Sequence, residues 1–409
     1  MATRRPHRKS RLGCLTCKQR RVKCDEAGPP CGPCRARCIP CEYADTKHPR
    51  KSPAESTGTS DDSSKPDKID AANSIEARRL LELELLHQWS TVTYQNYCSS
   101  VVDEYWNWQV LVPRLAMQHQ CLLHAMLAMS ALEIAAFSTD DMCVCDHYVD
   151  IALKYHNLAS SGLRSELSHV HSGNRQATFA ASSILMVLGL ALPHFASRRG
   201  EAGSYLDHFV TFLALLKGFQ LILESDENFR HSDPLVANHP DWETLPVTKV
   251  EPELELALQS IAGLNDEMYG ATGSPNVLPD EIATAHHAAN KRALYYLRAE
   301  FQRCNNPDTR AYALGWPLRA GPAYTAGIAS HEPIALVILM FWAVLMHELG
   351  HKVWWMEGVG SRLVADLSVT IDPSLYDRLN DVIAWAHSQV GLERPTSMRT
   401  ELSQSPMSF

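Results

Sequence analysis

Seven cysteines fall between Cys14 and Cys41, within 28 residues of a 409-residue chain that has twelve in all. A set this dense is either a disulfide framework or a set of metal ligands. The N-terminus, MATRRPHRKSR, has no apolar stretch of the kind a secretory signal needs. The other five cysteines (Cys98, Cys121, Cys143, Cys145, Cys304) are scattered rather than paired through a small domain. The expected compartment is therefore reducing, and the dense cysteines are read as metal ligands.

The spacing divides the cluster into two half-repeats. Cys14-x2-Cys17-x6-Cys24 is matched by Cys31-x2-Cys34-x6-Cys41, and Cys38 has no counterpart, which makes it the surplus thiol. Six thiolates cannot fill two separate tetrahedral zinc sites, which need eight ligands. Two must bridge, and the repeat nominates the first of each half, Cys14 and Cys31. One zinc then takes Cys14, Cys17, Cys24 and Cys31, and the other takes Cys31, Cys34, Cys41 and Cys14. No position remains for water, so two Zn2+ would be structural and would supply the folding free energy of a segment too short for a core.

Charge is split along the chain. Residues 1–52 hold 14 Lys and Arg against 4 Asp and Glu, a net of +10, while the remainder holds 24 against 42, a net of −18. A small basic head on a large acidic body points the head toward a polyanion.

Residues 13–43, GCLTCKQRRVKCDEAGPPCGPCRARCIPCEY, resemble the fungal zinc binuclear cluster, the Zn2Cys6 DNA-binding family. The likeness includes the basic run between the second and third cysteines, Pro29 before the fourth, and Tyr43 after the sixth. It implies a sequence-specific module on double-stranded DNA. The helix carrying KQRRVK would present its C-terminal end to the major groove, at a CGG-type triplet. Arg20 and Arg21 fall where base edges are met, and arginine pairs bidentately with guanine there. Lys18, Lys23, Arg35 and Arg37 are placed for phosphates. Arg4, Arg5, Arg8, Lys9 and Arg11, in a basic arm over 1–12, would extend backbone contacts or serve nuclear import.

After the module, residues 44–74 are rich in Ser, Pro, Asp and Lys and are expected to form a disordered linker. From Ile75 to 392 the apolar residues take helical spacing. IEARRLLELELLHQW opens the region, and CLLHAMLAMSALEIAAF (121–137) is apolar nearly all round. Further helices are expected at 145–167, 176–192, 203–223, 253–264, 281–303, 333–350 and 374–390, with an acidic loop over 224–252 and a disordered tail over 393–409. The fold class is mainly α: a small two-zinc module, a linker and a large all-α domain. The longest apolar run, residues 334–346, is thirteen residues, short of the about 20 a membrane span needs.

His347-Glu348-Leu349-Gly350-His351 spells HExxH, the zinc-peptidase helix motif. No third histidine follows at the required place, and Gly350 reads as a helix C-cap, so an amphipathic helix end is expected there. His286-His287 reads as helix surface, Cys143 and Cys145 straddle Val144 with no second cysteine pair near in the sequence to complete a metal site, and Trp342, Met346, Trp354, Trp355 and Met356 read as core.

ELELLHQWSTVTYQNYC, WNWQVLVPRLAMQHQCLLHAMLAMSALEIA, YVDIALKYHNLASSGLRSEL and PIALVILMFWAVLMHELGHKVWWMEGVGSRL resemble the regulatory domain of fungal sterol-uptake-control regulators and their relatives, some of which govern secondary-metabolite clusters. The resemblance implies an α-helical domain able to hold a hydrophobic ligand such as a sterol. The expectation is a nuclear, non-enzymatic regulator of RNA polymerase II transcription that engages the transcription machinery and controls sterol, lipid or secondary-metabolite genes. The alternatives are a zinc peptidase using HELGH and a ligand-sensing interaction protein in which DNA binding is secondary. Pairing stays open, because residues 75–88 offer about two heptads, fewer than the three or four of a coiled coil.

Overall fold

A computed structural model of the protein describes residues 12–26, 31–35, 41–43, 68–97, 105–138, 140–200, 203–224, 226–236, 242–270, 281–304, 309–372 and 376–393. Among them there is no strand, and the expected mainly-α class holds. The N-terminal module has two short helices, α1 (Leu15–Gln19) and α2 (Gly32–Arg35). The remainder consists of α3 (Lys68–Gln88), α4 (Tyr94–Tyr97), α5 (Val112–Ala116), α6 (Gln120–Phe137), α7 (Met142–Leu167), α8 (Arg175–Arg198), α9 (Tyr205–Glu224) and α10 (Glu227–Ser232). It continues with α11 (Pro252–Tyr269), α12 (Glu281–Arg303), α13 (Trp316–Ala320), α14 (Pro322–Ala329), α15 (Pro333–Gly350), α16 (Val359–Thr370) and α17 (Tyr376–Gln389). Each part has its own core: cysteines in the module, aliphatic and aromatic side chains in the body.

The body is organised on the two helices whose sequences are apolar all round. α15 buries every residue from Ile334 to Met346. α6 packs against α7 and α8, and α15 against α16, α12 and α11. At the centre Trp342 stacks on Trp316 with centroids 6.2 Å apart and meets Phe209 at 5.0 Å. Both indoles are buried, so both N–H groups need acceptors. Trp342 Nε1 donates to the Ala313 carbonyl at 2.8 Å and Trp316 Nε1 to the Ala293 carbonyl at 3.2 Å. The expected core residues Trp342, Met346, Trp355 and Met356 are buried there.

Buried carboxylates do the remaining joining. Glu133, fully buried on α6, accepts from Gln88 Nε2 (3.2 Å), Asn96 Nδ2 (2.7 Å) and the Thr93 hydroxyl. These three donors come from the end of α3, from α4 and from the π-helical turn Trp89–Thr93 between them. A second π-helical turn, Asn107–Leu111, faces the first, and each supplies a side-chain donor to a carbonyl of the other: Trp89 Nε1 to Trp108 (2.8 Å) and Gln109 Nε2 to Ser90 (3.1 Å). Glu332 caps α15, accepting the N–H groups of Ile334 and Ala335 and the Tyr269 hydroxyl.

Several expectations need correction. α3 begins at Lys68, inside the 44–74 segment expected to be a disordered linker. Low apolar content excludes a buried core, yet KIDAANSIEARRL holds three Ala and two Arg and no Gly or Pro, a composition that favours helix without burial. Residues 44–67 and 394–409 lie outside the described residues. The expected acidic loop over 224–252 contains α10 and a 3-10 turn at Trp242–Thr244. That turn is pinned because the Trp242 ring lies between Arg303 (4.5 Å) and Arg319 (4.7 Å), with its indole N–H on the buried Glu300. Gly350 is the last residue of α15 rather than its cap, which is His351. A glycine is needed there because a Cβ would sit 2.6 Å from the Met356 carbonyl oxygen.

The thirteen-residue apolar run is likewise part of an eighteen-residue helix. α6, α8, α9 and α15 are long and apolar enough to cross a membrane by length and composition. Most of that stretch is buried by protein neighbours in α6, α8 and α15, and much less of it in α9.

Trp342→Ala should cost about 3–5 kcal/mol of helical-domain stability, the usual penalty for a large buried aromatic. Urea unfolding followed by circular dichroism measures that loss. Zinc content should stay unchanged, because the cysteine core shares no residue with this one.

Candidate metal centre and nucleic-acid interface

The cysteine module closes through backbone bonds to sulfur that repeat with the sequence. The Cys14 N–H donates to Cys24 Sγ at 3.5 Å, and the Cys31 N–H donates to Cys41 Sγ at 3.1 Å. Cys14 also caps α1, accepting from the Cys17 N–H at 3.3 Å. The halves are tied by the Leu15 N–H to the Glu42 carbonyl (2.6 Å) and by the Gly32 N–H to Asp25 Oδ2 (2.8 Å). The second bond requires a residue without a side chain, since a Cβ on Gly32 would lie 2.4 Å from that carboxylate.

The sulfurs form two overlapping tetrads, Cys14–Cys17–Cys24–Cys31 and Cys14–Cys31–Cys34–Cys41, and the shared pair is Cys14 and Cys31. Their separation is 3.7 Å, with Cys17–Cys31 at 3.6 Å and Cys14–Cys34 at 3.6 Å. Zinc–thiolate bonds of about 2.3 Å at tetrahedral angles place sulfurs about 3.8 Å apart. Each tetrad therefore has the sulfur spacing of one tetrahedral zinc site; ideal tetrahedra sharing the Cys14–Cys31 edge would set Cys17 and Cys34 about 5 Å apart, and here they stand closer, at 3.8 Å.

The chemistry of the donor set agrees. Burial opposes charge on Cys14, but the Cys17 N–H and the thiols of Cys17, Cys34 and Cys41 bring it down to about 6. Burial pushes Cys34 up to about 12 and Cys31 higher still. Thiolates at this separation, five of them buried and Cys41 half-buried, need positive charge among them, which two zinc ions provide. Tyr43, whose hydroxyl lies 3.5 Å from Cys24 Sγ, closes one side. Cys38 lies outside the described residues.

The basic residues after Cys17 are not all on a helix. α1 ends at Gln19 and Arg20 is its C-cap, so the helix expected to carry KQRRVK carries only its first two residues. The Arg21 N–H bonds to the Lys18 carbonyl (3.2 Å) and the Val22 N–H to the Cys17 carbonyl (3.1 Å), the paired bonds of a Schellman ending. The position between them needs left-handed backbone, and Arg21 occupies it at φ 54°. Glycine is the usual residue there, and a side chain costs roughly 1–2 kcal/mol. Lys18, Arg21 and Lys23 are exposed, and Arg20 is half-buried. Arg35 ends α2; its side chain, Arg37 and the basic arm lie outside the described residues.

The HELGH segment builds nothing comparable. His347 and His351 are neighbours at 4.9 Å between ring centroids. Among the described residues, no His, Cys, Asp or Glu groups outside the cysteine tetrads bring three metal-ligating atoms together. Cys145 is buried on α7, and His287 binds Asp266 at 2.6 Å.

A sulfur cage for two metals joined to an exposed basic turn defines a metal-built nucleic-acid-binding module. Comparison with known proteins gives the family. Residues 12–51 match the fungal Zn(2)-Cys(6) binuclear cluster domain and residues 86–236 the fungal specific transcription factor domain. The chain carries both domains of the fungal Zn(2)-Cys(6) transcription factors, whose cluster domain binds two zinc ions.

Among relatives, the Zn(2)-C6 fungal-type transcription factor afumD of Aspergillus fumigatus is 34% identical over 164 residues. That match covers 39% of this chain and 43% of the relative, less than half of its length. A Zn(2)-C6 fungal-type transcription factor of Gibberella zeae is 23% identical over an alignment of 436 positions, covering 91% of this chain and 84% of the relative. Sterol uptake control protein 2 of Candida albicans is 58% identical over 40 residues, 10% of this chain, in the cluster region.

Replacing Cys41 with Ser should remove zinc and unfold the module, whereas Cys38→Ser should leave zinc content and DNA affinity nearly unchanged. Metal analysis of the two purified variants is the check; loss of zinc in the second alone would exchange their roles.

Proposed function

We propose that the protein is a nuclear, sequence-specific regulator of RNA polymerase II transcription. Cys14, Cys17, Cys24, Cys31, Cys34 and Cys41 hold two Zn2+, with Cys14 and Cys31 bridging. The observation that supports this most strongly is the pair of overlapping sulfur tetrads beside an exposed basic turn. The metals supply a rigid fold and no reaction. Cys14 and the Schellman ending fix where α1 starts and stops, and this projects Arg21 away from the cage.

Arg21 then reads a base edge of a CGG-type triplet, with Arg20 behind it. Lys18, Lys23, Arg35 and Arg37 neutralise phosphates, which set register without reading sequence. The domain units are the module at 13–43 and the regulatory body from 75 to 392. The body engages the transcription machinery.

For target genes we propose sterol- or lipid-related functions or a secondary-metabolite cluster. The support is the likeness of the body's sequence to regulators of such genes; the match to sterol uptake control protein 2 lies in the cluster and bears on DNA binding. We propose no peptidase role for HELGH, since among the described residues no three-ligand site forms beside Glu348.

In vitro site selection with the full chain, followed by genome-wide occupancy, tests the reading: recovered sites should contain CGG-type triplets. Arg21→Ala should cost about 1–3 kcal/mol on the selected site and little on scrambled DNA. Lys23→Ala should weaken both duplexes alike and lower the salt slope by about one unit. Arg21→Gly should match Arg21→Ala in DNA binding yet give a more heat-stable module, because glycine accepts the left-handed backbone freely. Equal losses on both duplexes for Arg21→Ala would reduce Arg21 to a backbone contact.

A further inference from the structure

The two halves of the cysteine module differ at one bond. Cys14, Cys17 and Cys24 map onto Cys31, Cys34 and Cys41 by a constant shift of 17 positions. Each half has its bond from an opening N–H to a closing sulfur, Cys14 to Cys24 and Cys31 to Cys41. In the first half a second bond lies alongside: the Leu12 N–H donates to Glu26 Oε1 at 3.0 Å. Its counterpart cannot form in the second half. The shift puts Pro29 at the place of Leu12 and Tyr43 at the place of Glu26, and proline has no N–H to give. The second half brings its sulfurs together without such a bond, so building the cage does not require it.

Glu26 is also an unfavourable residue at its position. Its backbone is left-handed at φ 60°, where a side chain is strained. Its own N–H donates to the Cys24 sulfur, and glycine would make that bond from the same backbone more easily. What glycine lacks is the carboxylate. Glu26 and Leu12 are both exposed, and on a module that meets a polyanion an exposed negative charge is by itself unfavourable. The carboxylate holds the entry of the chain. Leu12 follows directly on MATRRPHRKSR, whose charged side chains, Arg4, Arg5, Arg8, Lys9 and Arg11, are all cationic. With the N–H groups of residues 12 and 14 both bonded to the 24–26 segment, the point from which this arm departs is fixed relative to the cage.

We propose that Glu26 is a positioning residue for the basic arm: by fastening the Leu12 N–H beside Cys24, it sets the direction in which the arm leaves, so that the arm's cations reach DNA phosphates together with Lys18 and Lys23. Fixing that direction lowers the ordering cost of each arm contact. The inference rests on the DNA-binding reading above and assigns Glu26 a part in it. Charge alone makes the opposite forecast, because removing a carboxylate from a DNA-binding surface strengthens attraction to phosphate.

The test compares Glu26→Ala with Glu26→Gln in the zinc-loaded full chain, by DNA titration on the selected and scrambled duplexes over a range of salt. Both variants lose the charge, but only glutamine keeps an oxygen that can accept the Leu12 N–H. Glu26→Ala should bind both duplexes about three- to tenfold more weakly than Glu26→Gln, as the loss of one exposed hydrogen bond permits, and with a shallower salt slope. Neutralising the arm by Arg8→Gln, Lys9→Gln and Arg11→Gln together should make the two variants equal. Zinc content should match the unsubstituted chain throughout. Glu26→Gly is the second variant, should Glu26→Ala lose zinc: its module should melt above that of Glu26→Ala yet share the weaker binding, a combination that a purely structural role does not give. Equal binding by the alanine and glutamine variants with the arm intact would overturn the proposal. So would a difference that survives neutralisation of the arm, since Glu26 would then act within the module itself. Absence of DNA binding by the unsubstituted chain would overturn the DNA-binding reading and this inference with it.

Discussion

The module depends on one constraint: buried sulfurs set 3.6–3.8 Å apart cannot all carry charge unless cations sit among them. In so short a segment no aliphatic core competes with that requirement, so metal binding and folding are one event. The backbone N–H bonds to Cys24 and Cys41 orient the sulfurs at equivalent places in the two halves. The two sulfurs shared by both tetrads, Cys14 and Cys31, belong to the cysteines that open each half. A single cage therefore fixes α1, its abrupt end and the exposed basic turn.

On the proposed reading of Arg21, that turn exchanges stability for recognition. A glycine at position 21 would satisfy the Schellman ending at no conformational cost, yet it would remove the guanidinium from the outermost point of the loop. Arginine in left-handed backbone is a local disadvantage that the cage over-determines, the pattern in which backbone strain survives at binding sites. The exposed Arg21 and half-buried Arg20 also separate two residues that are equivalent in the sequence.

The body is governed by different physics. Its centre is a set of large rings whose polar edges are answered by carbonyls, as Trp342 is by Ala313 and Trp316 by Ala293. Around it, Glu133, Glu300 and Glu332 are buried acids surrounded by donors from other helices. Each joins segments far apart in the chain. They fix the orientation of particular elements: the π-helical turns, the Trp242 turn and the start of α15.

The sequence by itself determined the metal chemistry and the helical class. Cysteine spacing is a local property, and six thiolates against eight tetrahedral positions force a bridge. Apolar periodicity likewise reports helices such as α6, α7, α12 and α15 within a few residues of their ends, because each helix is made by its own contiguous residues. What depends on contacts distant in the chain was decided only in three dimensions. The Schellman ending at Arg21 has no glycine to announce it, and the π-helical turns send donors to Glu133 and to each other's carbonyls across some twenty to forty residues. The Trp242 turn is held by arginines some sixty and eighty residues away. Gly350 carries a helix-end signature, yet its role is to admit the Met356 carbonyl oxygen.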